Sequence, residues 1–159
     1  MNQPALQLIR HQSGITLLEV LIAVVILSIG VLGLAGLQFA GLRNGQQSYQ
    51  RSQAVLLASE IADYMRASRD QAILGSYQVS AAPGAPAVNC DSVACTPAQL
   101  ATFDVYQWYT QVTSLLPSGQ ATITCSTTCA AGDVQTVLIQ WDEARTGSVN
   151  SSYSVSLTP

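Results

Sequence analysis

The chain has 159 residues, 48% of them apolar, with six arginines, no lysine and nine acids, for a formal charge of −3. So few and scattered cations exclude a nucleic-acid surface, which needs clustered basic residues. The one histidine, His11, lies close to the N-terminus, and no Gly-rich loop follows an expected strand. Ser-His-Asp, Cys-His and phosphate-cradling constellations therefore lack material, and the chain reads as a non-enzyme without cofactor or metal.

Residues Met1 to Gly14 read as a short polar leader carrying Arg10 and His11. After Gly14 the chain turns apolar from Ile15 to Leu42, interrupted by a single charge, Glu19. A bilayer core of ~30 Å takes ~20 apolar residues as helix, so this run is long enough to span. A carboxylate inside such a run costs ~2.5–3.5 kcal/mol at a helix centre, and less near an end, so Glu19 calls for a reason. In a secretory signal peptide, cleavage follows the apolar region. Here the small residue that could mark a cut, Gly14, precedes it.

Gly14-Ile15-Thr16-Leu17-Leu18-Glu19-Val20-Leu21-Ile22-Ala23 resembles the class III signal of type IV prepilins and pseudopilins. The resemblance implies that prepilin peptidase cuts after Gly14 and that the new terminal residue, Ile15, is N-methylated. The usual occupant of that position is phenylalanine, so Ile15 is a departure, while the glycine and the glutamate are in place. Glu19 would then carry assembly, pairing with the methylated amine of its own chain or of a neighbour. The expected domains are the leader (1–14), a transmembrane and assembly half-helix (15–42) and a periplasmic head (43–159).

No proline occurs between Pro4 and Pro83, so nothing forces the helix to stop at Leu42. Beyond Arg43 the pattern turns amphipathic, with Val55, Leu56, Ile61, Tyr64 and Met65 at helical spacing and Arg51, Glu60, Asp63, Arg66 and Arg69 between them. A helix from Ile15 to about Arg69 is expected, ~80 Å at 1.5 Å per residue. Gly30, Gly33, Gly36 and Gly41 interrupt its apolar half, either for close helix–helix approach or as a weak point that unwinds on assembly.

Tyr77 to Thr96 reads as a loop rich in breakers. Thr96-Pro97-Ala98-Gln99 then signals a helix start, with a threonine cap, proline at the first position and glutamine closing a capping box. Leu100, Phe103, Trp108, Val112 and Leu115 would form its buried face, and Leu116-Pro117-Ser118-Gly119 its end. Strands are expected at Gln120–Ser126, Val134–Trp141 and Ser152–Thr158, forming an antiparallel meander packed on the helical spine, an α+β head. Asp142-Glu143 reads as a solvated turn in preference to a calcium site.

The four cysteines, Cys90, Cys95, Cys125 and Cys129, all lie beyond the span. An even count in a small exported domain reads as disulfides, and the Cys-x4-Cys and Cys-x3-Cys spacings fit zinc poorly. Three connectivities are open; the two local loops, Cys90–Cys95 and Cys125–Cys129, are favoured.

Residues Ala54 to Arg66, the helix around Trp108 ending Leu115-Leu116-Pro117-Ser118-Gly119, and Val137-Leu138-Ile139-Gln140-Trp141-Asp142 resemble one branch of the family, the PilV-type minor pilins. That resemblance implies an inner-membrane protein with a periplasmic head, incorporated in a type IV pilus. Its partners would be other minor pilins, the major pilin, prepilin peptidase and the inner-membrane assembly platform. It would prime pilus assembly and so affect twitching motility and adhesion. A type II secretion pseudopilin and a tip-located adhesin are the alternatives.

Overall fold

The computed structural model describes Gly14 and residues 16–159. Residues 1–13 of the leader and Ile15 lie outside the described residues. The chain divides into two compact units, one ending at Arg43 and one running from Asn44 to Pro159. Helix α1 comprises Leu17–Ala67, 51 residues. In the first unit its apolar side chains, from Leu17 to Leu42, are all exposed. A helix can present such a surface to lipid because every interior backbone N–H and C=O bonds within the segment. The helix is continuous through Gly30, Gly33, Gly36 and Gly41.

In the second unit the buried stripe of α1 is Gln50, Ala54, Leu57, Ala58, Ile61, Ala62 and Met65. This corrects the expected face: Ile61 and Met65 belong to it, whereas Val55, Leu56 and Tyr64 are 39%, 62% and 37% exposed. The reason is the spacing of small residues. Ala54, Ala58 and Ala62 recur every fourth position, and they let neighbouring elements approach the backbone, which bulkier side chains would prevent. The helix ends at Ala67, and a short helix α2 (Arg69–Ile73) follows, which periodicity alone does not reveal. The buried Gln135 of the sheet donates from Nε2 to the Ala72 carbonyl at 2.8 Å, tying α2 to the core.

Helix α3 (Pro97–Leu115) starts on the expected capping box, with Thr96 and Gln99 bonded reciprocally. Its buried face is Ala101, Phe103, Val105, Trp108, Tyr109 and Val112. Leu100 and Leu115, expected inside, are 39% and 44% exposed, and Leu116 is buried in place of Leu115. Trp108 is fully buried and donates its indole N–H to the Leu57 carbonyl of α1 at 2.8 Å. The turn after α3 needs glycine: a Cβ on Gly119 would fall against the Val112 carbonyl oxygen.

The sheet comprises β1 (Gln120–Cys125), β2 (Gln135–Trp141) and β3 (Ser151–Leu157), antiparallel in the order β1-β2-β3. Period-2 alternation places Ala121, Ile123, Val137, Ile139 and Trp141 in one core with α1 and α3. Val79, inside the expected loop, forms an isolated antiparallel bridge to Ile123. A single bridge is too short to leave a sequence pattern. The long apolar helix and the small antiparallel sheet bear out the α+β architecture expected from the sequence.

Both local disulfides are present, Cys90–Cys95 and Cys125–Cys129, with Cα separations of 5.5 and 5.1 Å. The second closes the β1–β2 connection. There the Asp133 carboxylate accepts from the Thr127 hydroxyl and from the backbone N–H groups of Thr128 and Ala130.

Candidate functional site

Of the predicted signal, Gly14 and residues 16–23 are described, Thr16 and Glu19 among them. Gly14 is exposed, and a Cβ built on it meets no atom within 4 Å. Ile15 lies outside the described residues.

Thr16 caps α1. Its carbonyl accepts from Glu19 N–H at 3.0 Å and from Val20 N–H at 3.3 Å, and its hydroxyl accepts from Glu19 N–H at 3.2 Å. Sequence reasoning missed this role, although Thr-x-x-Glu ahead of an apolar run is a capping-box signature. The cap fixes where the helix starts and so places Glu19 in its first turn. There the unpaired N–H groups of the helix end carry a partial positive charge that favours a carboxylate.

Glu19 is exposed among exposed apolar neighbours. The two ion pairs among the described residues, Arg51–Glu143 and Arg66–Asp63, do not include it. The arrangement offers an outward-facing anion at the start of an apolar helix. A positively charged amine can pair with it.

The head holds further polar constellations, each accounted for internally. Asp142, read from sequence as part of a solvated turn, is 2% exposed. Its Oδ1 accepts from Thr146 N–H (3.0 Å) and Asn150 Nδ2 (3.2 Å), and its Oδ2 from Gly147 N–H (2.6 Å). Burial pushes the Asp142 carboxyl up, but the backbone N–H groups of Thr146, Gly147 and Arg145 and the Thr146 hydroxyl together hold it below the ordinary carboxylate value. A carboxylate so surrounded by N–H groups is the anchor of a loop, and its lone pairs are taken. Gly147 adopts φ +87°, the left-handed region that lets its N–H point at Asp142.

Glu143 receives Arg51 Nε at 2.9 Å and the Ser151 hydroxyl at 3.1 Å; the bond from Arg51 leads in holding its carboxyl below the usual range. Tyr77 is fully buried, and its hydroxyl donates to Asp104 Oδ2 at 3.2 Å. Burial pushes the Tyr77 phenol up to about 12, and burial likewise raises the Asp104 carboxyl. Among the described residues no group of three or more His, Cys, Asp or Glu side chains is placed to hold a metal ion.

No curated protein and no solved structure matches the chain. Two families do. Residues 9–35 match the prokaryotic N-terminal methylation motif, and residues 36–106 match the family described as Type IV pilin Tt1218. The first contains Gly14, Thr16 and Glu19; the second runs from Gly36 through the buried stripe of α1 to the middle of α3. The two matches adjoin without a gap over residues 9–106, and with the fold they make this chain a type IV pilin-like protein.

Proposed function

We propose that the chain is a minor pilin of the PilV type, which helps prime assembly of a type IV pilus. Prepilin peptidase cleaves after Gly14 and methylates the amine of Ile15. Residues 15–42 then anchor the protein in the inner membrane in a single pass, with the head, 43–159, in the periplasm. Other minor pilins, the major pilin and the assembly platform are its partners, and its loss reduces twitching and adhesion through the filament.

The observation that carries this reading is Glu19, a lone outward-facing carboxylate in the first turn of an otherwise apolar, wholly exposed helix stretch. In lipid a bare carboxylate is costly, and a cation brought alongside removes that cost. The methylated amine of Ile15 in a neighbouring subunit is such a cation. A charge that is expensive alone and matched in the filament favours assembly over the free state.

Glu19→Ala tests this. The variant should be processed and should keep the thermal stability of the wild-type head, because Glu19 takes no part in the core. It should be lost from sheared filaments. Incorporation at the wild-type level would contradict the intersubunit role.

A further inference from the structure

The two edges of the sheet differ. The outer side of β1 is partly covered by Val79, which exchanges hydrogen bonds with Ile123 at 3.1 and 2.9 Å. β3 pairs with β2 along all seven of its residues, and among the described residues its other side has no backbone partner. A cleft of about 450 Å3 lies beside its first residues, bordered by Arg51, Val55, Trp141 and Tyr153. Open edges are normally blunted by lysine, proline, a bulge or an inward-pointing charge. β3 reads Ser151-Ser152-Tyr153-Ser154-Val155-Ser156-Leu157, without charge or proline, in unbroken register with β2.

The strand is also complementary to itself. Placed antiparallel to a copy of itself about Ser154, it sets Ser154 opposite Ser154, Ser152 opposite Ser156, and Tyr153 opposite Val155. The exposed serines then share one face, and the half-buried Tyr153 and Val155 share the other, where both already pack against the core. An aromatic ring opposite a β-branched side chain, and hydroxyl opposite hydroxyl, are favourable cross-strand pairs. No like charges meet.

We propose that the free edge of β3 pairs antiparallel with β3 of a second copy of this chain, about a two-fold axis at Ser154, joining two heads into one six-stranded sheet. A seven-residue strand pair is smaller than the ~800 Å2 per partner of a stable complex, so the pairing is reversible.

All four native cysteines are in disulfides, so one added cysteine is a unique thiol in the full chain. The register places the two Ser154 Cβ atoms ~5 Å apart, whereas two Ser152 atoms stand four residues, ~13 Å, apart along the strands. In detergent-solubilised full-length protein under mild oxidation, Ser154→Cys should give about tenfold more reducible dimer than Ser152→Cys or Ser156→Cys alone. Mixing Ser152→Cys with Ser156→Cys protein should restore the dimer. Adding Ser154→Lys to both members of that mixture sets like charges face to face and should abolish it. Equal yields from all three single variants, no dimer from Ser154→Cys, or indifference to Ser154→Lys would overturn the proposal. Ser154 is exposed, so these changes leave the core intact.

Discussion

Asp142 is buried at the end of β2 with both carboxylate oxygens engaged by donors from Thr146, Gly147 and Asn150. Its folded pKa lies below its ordinary value, so the unfolded chain takes up the proton first as pH falls. Its contribution to stability is therefore complete above about pH 4 and is lost as pH drops through the depressed folded value. Glu143 and Asp133 are lowered too and act in the same direction. Asp142→Asn puts an amide N–H2 against backbone N–H groups. The variant should melt several degrees lower than wild type at pH 7, and the gap should narrow at pH 3, as followed by tryptophan fluorescence on heating. A gap that stays constant from pH 7 to pH 3 would show that ionisation of Asp142 is not what holds the loop. The sequence displays the Asp142-Glu143 pair but not its burial, because nothing local to two acids reports that Trp141 draws the strand end into the core. Thr16 was legible, since its spacing to Glu19 is that of a capping box, yet the charge on Glu19 drew the reading toward assembly and away from the cap.

At the scale of elements, α1 and α3 meet where Trp108 reaches the Leu57 carbonyl, beside the alanine rungs 54, 58 and 62. Trp108→Ala removes a fully buried indole and leaves the surroundings to collapse only in part, which should cost about 3–5 kcal/mol. Ala58→Leu forces a branched side chain into a closely packed contact and should cost about 1–3 kcal/mol. Denaturant unfolding of the detergent-solubilised chain reads both; a loss under 1 kcal/mol for Trp108→Ala would place the core elsewhere. Helix α3 was legible down to its cap because Thr96, Pro97 and Gln99 act locally. The strands were legible to within a residue or two because alternation and turn residues are also local signals. The buried face of α1 was less legible. Alanine carries little hydrophobic weight in a periodicity argument, and only tertiary packing reveals that Ala54, Ala58 and Ala62 outrank Val55, Leu56 and Tyr64. Helix α2 and the Val79 bridge were not legible at all, since five residues and one bridge carry too short a pattern.

For the molecule as a whole, hydrophobicity is divided by position. Among the described residues the first unit exposes its apolar side chains, and the second buries most of its own around α1, α3 and the sheet. Such a division suits a protein that meets lipid or other helices at one end and water at the other. The order of parts around Gly14 carried the class of the protein at the sequence level, and the methylation motif and the pilin match agree with it. The proposed processing rests on this order. It is tested by the intact mass and N-terminal sequence of the membrane-purified protein from cells with and without prepilin peptidase, with Gly14→Val as a control. A chain beginning with N-methylated Ile15 is expected only when the peptidase is present, and an uncut precursor is expected from Gly14→Val. A chain beginning at Met1 in both strains would contradict it and would remove the assembly role of Glu19 with it.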